Sequence, residues 1–237
     1  MIGDGLVVIS SQYWGQKRIE PIRQITGMVL KIALGLGIFL IILCSLFPEA
    51  MLGFFTSDVA ILSEAGSYLQ IIKYTFLLYL VTQVLLSALR SVETVRIAFV
   101  ISCVSLVVNV SINYILIYGR FGFPELGIRG AAIGTMLSRC LEFLIVLIYV
   151  AKIDKKLKLF SDTAVYHIDR LLRSDYVKVA VPVFISGMLW AISVPMQTAI
   201  LGHLSSDAIA ANSVASTFYQ YMKAVSYTHL RAHETGR

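Results

Sequence analysis

The chain has 237 residues, of which 57% are hydrophobic and 14% are charged, and its mean hydropathy is +0.79. Soluble domains carry about 25% charged residues, so this composition excludes a disordered chain, a nucleic-acid-binding domain and an ordinary cytosolic enzyme. The formal net charge of +6 comes from residues that lie between apolar blocks, which is typical of cytoplasmic loops. The composition predicts an all-α polytopic membrane protein, because spanning segments must satisfy their backbone hydrogen bonds internally.

Five apolar blocks are long enough to cross a bilayer, which takes about 20 mostly apolar helical residues. They are predicted at residues 26–47, 68–89, 97–118, 127–151 and 176–201. Two shorter blocks flank them, and we interpret residues 1–14 as the second half of a helix and residues 207–224 as the first part of another. Residues 152–175 form a long basic connection, which we expect to be a cytoplasmic linker between two bundles.

The last segment, residues 225–237, departs from this pattern. Its polar residues Arg231, His233, Glu234 and Arg237 are predicted to interrupt the helix that precedes it. The run VSYTHLRAHET resembles the translation of a transposon-end adapter used in DNA sequencing libraries. Segments of that kind are excluded from fold reasoning, so we predict that residues 225–237 are a sequencing-adapter artefact. The alternative is a genuine polar C-terminus.

Polar residues recur on one face of the helix predicted at residues 97–118. The spacings of 3, 4 and 4 place the following residues on one stripe: Ser102, Ser105, Asn109 and Asn113. Polar groups at bilayer depth are costly and often mark functional sites. Two asparagine carbonyls one turn apart can coordinate a cation or hold water, and they can equally join two helices by hydrogen bonds.

The helix predicted at residues 127–151 carries two stripes. One is a ridge of small residues that favours close helix packing, made of Gly130, Gly134 and Ser138. The other is polar and consists of Thr135, Arg139 and Glu142. Arg139 falls near the helix centre and can pair with Glu142 three residues later. Such a pair is either a structural staple or a proton-sensitive switch.

The helix predicted at residues 176–201 has a polar and aromatic face made of Ser186, Trp190, Ser193 and Gln197. A tryptophan at this depth suits either an aromatic wall that stacks on a cationic ligand or simple packing. The sequence holds no zinc-protease, nucleophile-elbow or phosphate-loop motif. We therefore predict no enzyme, no catalytic residue, no cofactor and no metal site.

Three passages resemble the multidrug and toxic compound extrusion (MATE) family of membrane antiporters. They are ISSQYWGQKRIEPIRQ (residues 9–24), NVSINYILIYGRFGFPELGIRGAAIGTMLSR (residues 109–139) and VPVFISGMLWAISVPMQTAILGHLSSDAIAANSVAS (residues 181–216). The resemblance implies a MATE-like helical bundle, a fold with two six-helix lobes around a central cavity. This fragment would hold one nearly complete N-terminal lobe at residues 1–151, the linker, and the first helices of the second lobe at residues 176–224. Helix one and helices nine to twelve would be missing.

The resemblance also implies a function, namely secondary active export of amphipathic, often cationic drugs or toxic compounds across the cell membrane. Na⁺ or H⁺ would be the coupling ion, and the protein would act as a monomer without nucleic acid. Asn109 matches the asparagine of the family's ion-coupling Asn–x–x–x–Asp pair, Asn113 stands where the aspartate would be, and Thr135 matches a threonine on helix six. The change from aspartate to asparagine removes a titratable carboxylate. A helix-seven glutamate of many relatives has no counterpart here.

Four uncharged residues lie in passages that look like the family's cavity-lining helices, and we expect them to line the substrate cavity: Gln12, Trp190, Gln197 and Asn212. Arg139 and Glu142 are assigned a structural or modulatory role. One alternative is a flippase for lipid-linked oligosaccharides, whose cavity should carry more cations to meet a pyrophosphate than Arg139 and Lys73. An alternative of another class is an intramembrane transferase, which needs a cluster of His, Asp or Glu at the membrane surface.

Overall fold

The computed structural model describes residues 2–55, 58–154, 156–159, 169–204 and 206–234, and within these ranges it is helical with no strand. The helices in chain order are α1 (Ile2–Gly15), α2 (Ile19–Leu46), α3 (Pro48–Gly53), α4 (Val59–Ser91), α5 (Val95–Tyr118), α6 (Gly127–Ile148), α7 (Arg170–Leu204) and α8 (Ser206–Glu234). A π-helical turn, Tyr149–Ile153, continues α6.

All five predicted spans are confirmed as helices long and apolar enough to cross a membrane. Among the described residues these are Ile19–Leu46, Ile61–Ser91, Val95–Tyr118, Gly127–Ile153 and Arg170–Leu201. The helices extend beyond the apolar blocks because intrahelical hydrogen bonds satisfy the backbone equally well in polar surroundings. Helix α7 starts at Arg170, within the predicted linker at residues 152–175, of which residues 155 and 160–168 lie outside the described ranges.

The predicted interruption of the last helix is wrong, since α8 runs from Ser206 to Glu234 and so passes through residues 225–234. This stretch holds neither glycine nor proline, and its alanine, leucine, arginine and glutamate are good helix formers. Charged side chains change where a helix can lie, but they do not by themselves break its backbone. The origin of residues 225–237 stays a prediction.

Helix α4 is central to the bundle and contacts α1, α2, α3, α5 and α6, while α5 packs on α6 and α7 packs on α1. Glycines let the axes approach closely. A Cβ on Gly37 would lie 2.9 Å from Leu77 Cα, and one on Gly5 would lie 3.1 Å from Ala180 Cα. Close backbone approach of this kind is how helices gain van der Waals contact in a membrane, where lipid removes the hydrophobic drive.

The largest buried side chains gather where four helix ends meet. These are the end of α1, the start of α2, the end of α4 and the end of α6, and their buried members include Ile9, Ile22, Ile25, Leu85, Leu89 and Val146. The basic residues that follow or precede these ends place them on the cytoplasmic side. The core therefore closes the cytoplasmic end of the bundle.

The first part of the predicted linker belongs to this core. Leu157 and Leu159 are fully buried in it, and Arg23 Nε donates a hydrogen bond of 2.7 Å to the carbonyl oxygen of Leu157. The Asp154 carboxylate accepts the backbone N–H of Leu157 at 2.9 Å, which holds the turn after the π-helical segment. Leu157 and Leu159 of the predicted linker thus pack against the bundle, while Lys156 and Lys158 stay exposed.

We predict that Leu157→Ala lowers the free energy of unfolding by about 2–5 kcal/mol, because it leaves a cavity in a fully buried position. Thermal unfolding of the purified protein in detergent measures the change. The matched control is Leu171→Ala, which truncates an exposed leucine at the start of α7 and should leave the melting temperature nearly unchanged. Equal destabilisation by the two substitutions would contradict the packing of residues 156–159.

Candidate functional site

Helices α5 and α6 touch through their backbones. A Cβ on Gly130 would lie 2.6 Å from the carbonyl oxygen of Leu116, and one on Gly134 would overlap the side-chain oxygen of Asn113. Ser138 is buried and donates its hydroxyl to the Gly134 carbonyl at 2.6 Å. The predicted ridge of small residues is confirmed as the contact surface between the two helices.

The turn between these helices fixes their register. Helix α5 ends at Tyr118 because Gly119 adopts a left-handed conformation with φ of 62°, and its N–H caps the Ile115 carbonyl. The chain then folds back, and the Leu126 N–H donates to the Leu116 carbonyl at 3.0 Å. Helix α6 starts one residue later, so the polar faces of α5 and α6 are set opposite each other.

The three residues predicted to couple an ion come together at this contact. Asn113 Nδ2 donates to Asn109 Oδ1 at 3.2 Å, and Asn109 Nδ2 lies 3.5 Å from Thr135 Oγ1. Asn113 Oδ1 is buried and has no hydrogen-bond donor among the described residues. A buried carbonyl oxygen without a donor calls for a water molecule, an ion or another partner. The ion-coupling role of these residues stays a prediction.

The predicted ion pair is present one turn further along α6. Arg139 Nη1 lies 2.5 Å from Glu142 Oε2, and Ser105 on α5 donates to the same oxygen at 3.3 Å. The Glu142 side chain is 4% exposed and the Arg139 side chain is 36% exposed, so the two ends of the pair differ in access. The guanidinium carbon of Arg139 lies 5.2 Å from the ring centroid of Tyr79 on α4, a cation–π distance.

A polar cavity of about 460 Å³ joins these features. It is lined from three helices by Tyr79, Gln83, Ser102, Ser105, Leu106, Asn109, Thr135, Ser138, Arg139 and Glu142. Nine of these ten side chains carry a polar group. Among the described residues that line the cavity, Arg139 and Glu142 are the charged ones. A cavity of this size, polar and set within membrane-spanning helices, can hold a small molecule or an ion with its water.

Tyr79 and Gln83 were not predicted as site residues. Both also line a second cavity of about 210 Å³ between α1, α2, α4 and α7, whose wall includes Asp4, Ser87, Arg90 and Phe184. One polar face of α4 therefore serves two cavities. The signal was available in the sequence, since residues 79, 83 and 87 are polar at helical spacing of four. Because α4 is mostly apolar and its polar residues are scattered, this spacing does not stand out in the sequence.

Of the four residues predicted to line a substrate cavity, two are in contact and the other two lie apart from each other. Gln197 Nε2 donates to Asn212 Oδ1 at 3.1 Å, which joins α7 to α8. Trp190 is 66% exposed on α7, and Gln12 is exposed near the end of α1. Since Gly5 lies level with Ala180, a rise of 1.5 Å per residue places Gln12 roughly 25 Å from Trp190 along the helix axes. Their role as cavity residues stays a prediction.

Comparison with known proteins shows which proteins this chain is similar to. The model of the family described as MatE matches residues 1–115. "Probable multidrug resistance protein YoeA" of Bacillus subtilis is 29% identical over 95% of this chain and 49% of its own length. "Multidrug resistance protein NorM" of Vibrio cholerae is 26% identical over 86% of this chain and 44% of its own length. Residues 1–115, just under half of the chain, thus match the multidrug and toxic compound extrusion family, and the named relatives extend the similarity along most of its length. The chain spans about half the length of the curated relatives it matches.

Solved structures share the fold of this chain. A MOP superfamily transporter from Pyrococcus furiosus aligns with a TM-score of 0.73 over 92% of this chain and 48% of its own. An outward-facing multidrug resistance MATE transporter aligns with a TM-score of 0.71 over 81% and 42%. Both are 18% identical, so the likeness concerns the fold. The chain is a multi-pass protein of the cell membrane.

We predict that Gly130→Ala destabilises the bundle by about 1–3 kcal/mol, because the added methyl group meets rigid backbone of α5 and must push the helices apart. The matched control is Gly35→Ala on α2, where the new methyl group meets nothing within 4 Å. Unfolding of both variants in a denaturing detergent titration gives the comparison. Equal stability of the two variants would show that α5 and α6 do not touch as described.

Proposed function

We propose that the protein is a secondary active transporter that exports amphipathic, often cationic drugs or toxic compounds in exchange for Na⁺ or H⁺. The observation that carries this proposal is the polar cavity between α4, α5 and α6, set within helices that are long and apolar enough to span a membrane. The match of residues 1–115 to the MatE family model and the similarity to multidrug resistance proteins support the same function. The proposal needs no cofactor besides the coupling ion, no nucleic acid and no second protein chain.

The contact between α5 and α6 supplies the proposed ion site. Asn109, Asn113 and Thr135 contribute amide and hydroxyl oxygens, which are hard ligands suited to a small cation. These groups do not titrate near neutral pH, so they bind Na⁺ directly but do not carry a proton themselves. Coupling to H⁺ would require a carboxylate from another position.

The volume of the cavity and the aromatic side chains near it support the proposed substrate class. A volume of about 460 Å³ lies within the range of small-molecule sites. Tyr79 offers an aromatic face at this cavity, and the ring of Trp190 is exposed on α7, outside the lining of the cavity. Aromatic faces attract flat and cationic compounds and tolerate variation in their outline. This tolerance is what export of several unrelated compounds requires.

We predict that Asn109→Leu and Thr135→Val each lower ion-driven export of ethidium at least about fivefold, because each removes an oxygen from the proposed ion site. Vesicles from cells that express the complete gene are given a Na⁺ gradient or a pH gradient, and export is followed by ethidium fluorescence. Thr198→Val on α7 is the control, since its hydroxyl bonds only within its own helix. Full ion dependence in both test variants would refute the site.

We predict that Trp190→Ala lowers resistance to cationic drugs without lowering the amount of protein in the membrane. The reason is loss of an aromatic face, worth about 0.5–2 kcal/mol of binding to a cation. Leu189→Ala is the matched control, because its side chain is as exposed as that of Trp190 but carries no aromatic ring. Unchanged resistance to every tested cation would support the packing interpretation of Trp190.

A further inference from the structure

A groove of about 730 Å³ lies at the ends of α5 and α6 that face the cytoplasm. Its walls come from the turn before α5, the first turns of α5, and the π-helical turn with the residues that follow it. The groove shares no lining residue with the polar cavity described above. The basic residues around these helix ends place the groove at the level of the inner-leaflet headgroups.

One wall of the groove is apolar and faces the bilayer. Val100 is 52% exposed and Ile153 is 56% exposed, although both belong to membrane-spanning helices. An exposed apolar patch at a membrane surface is a contact site for lipid chains. The groove can therefore hold an acyl chain against its hydrophobic lining, which consists of Val95, Ile97, Val100, Tyr149 and Ile153.

Two of the four charged residues in the described lining already have partners within the protein. The Asp154 carboxylate accepts the backbone N–H of Leu157 at 2.9 Å. The Lys156 ammonium group donates to the Val92 carbonyl at 2.9 Å and lies 5.5 Å from the ring centroid of Trp14. These contacts hold the segment after α6 against the ends of α4 and α1. Both charges are thus used in packing.

The other two charged residues, Glu93 and Arg96, have opposite signs. Both are exposed, and within the part of the chain that the structure describes neither side chain forms a hydrogen bond or an ion pair. Between them, the Thr94 hydroxyl donates to the Val92 carbonyl at 3.4 Å and does not cap α5. The first N–H groups of α5 add a partial positive charge on the same side as Arg96. The groove thus offers a ligand one anionic and one cationic contact.

A phospholipid with a zwitterionic headgroup matches both contacts and the apolar wall. Its phosphate can accept hydrogen bonds from the Arg96 guanidinium and from the start of α5. Its ammonium group can donate to the Glu93 carboxylate. An anionic headgroup would leave Glu93 without a partner and place a second negative charge beside it. A choline headgroup has no N–H to donate, whereas a primary ammonium group has three donors.

We propose that the groove binds an inner-leaflet phospholipid whose headgroup carries a phosphate and a primary ammonium group, as phosphatidylethanolamine does. Arg96 binds the phosphate, Glu93 binds the ammonium group, and an acyl chain lies along Val100 and Ile153. This site is independent of the proposed transport function, because the groove and the polar cavity have no lining residue in common.

The test compares three phospholipids with the same dioleoyl chains, which carry an ethanolamine, a choline or a glycerol headgroup. Binding of the first lipid molecule is measured by native mass spectrometry on the purified product of the complete gene in detergent. We expect the ethanolamine lipid to bind about fivefold more tightly than the choline lipid, the effect of one exposed charge-assisted contact. Equal affinities for these two lipids, or tighter binding of the glycerol lipid, would overturn the inference.

Variants assign the two headgroup contacts. Glu93→Gln should bring the ratio of ethanolamine to choline affinity to about one, and Glu93→Asp should keep most of the preference. Arg96→Gln should weaken both lipids about fivefold and keep their ratio, because both carry the phosphate. Both side chains are exposed, so these changes should leave the melting temperature unchanged. A Glu93→Gln variant that keeps the fivefold ratio, or an Arg96→Gln variant that binds normally, would overturn the inference.

Matched controls remove the same charges elsewhere on the cytoplasmic side. Glu20→Gln at the start of α2 and Arg170→Gln at the start of α7 change exposed residues outside the groove and should leave every affinity unchanged. Glycerophosphoethanolamine, which has the headgroup without acyl chains, tests the apolar wall. Displacement of the ethanolamine lipid by an equal concentration of this soluble compound would show that the chains contribute nothing, and it would overturn the assignment to a membrane lipid.

Discussion

The close approach of α6 to α5 is the constraint on which the rest of the site depends. Gly130 and Gly134 bring the two backbones into contact, and no larger residue fits at Gly130 without moving the carbonyl of Leu116. Because lipid offers helices no hydrophobic drive to associate, this contact surface supplies the van der Waals energy that holds them. The polar stripes of both helices then face each other, which places Asn109 against Thr135 and, one turn deeper, Ser105 against Glu142.

The two residues of the ion pair on α6 differ in exposure, and this difference lowers the free-energy cost of placing charges within the membrane-spanning helices. The carboxylate is enclosed and satisfied by two donors, while the guanidinium reaches toward the cavity and the ring of Tyr79. An isolated charge at that depth would be costly. The polar cavity lowers this cost, since it gives Arg139 a polar surface to face, while Glu142 lies at the cavity wall almost fully enclosed.

The organisation of the membrane helices was largely predictable from the sequence. The five apolar blocks all form helices long enough to cross a membrane, because a run of about 20 apolar residues has few other stable structures. The boundaries were less predictable: α7 starts inside the predicted linker, and α8 continues through polar residues. Hydropathy records where a chain can lie in lipid, whereas helix ends depend on backbone conformation. The burial of Leu157 was also unpredictable, since it depends on four distant helix ends meeting beneath the bundle.

The site, like the fold, was predictable only in part from the sequence. The sequence by itself determined that Asn109, Asn113, Thr135, Arg139 and Glu142 lie on helical stripes and that Arg139 can pair with Glu142, because spacing along one helix fixes which side chains share a face. Only the tertiary structure decided that the stripes of α5 and α6 face one another and that Tyr79 and Gln83 complete the cavity from α4. It also decided that the carboxylate of the ion pair is almost enclosed while the guanidinium is partly exposed. Periodicity is local, but the rotation of one helix against its neighbours is set by contacts between residues far apart in the chain, here Gly130 with Leu116 and Gly37 with Leu77.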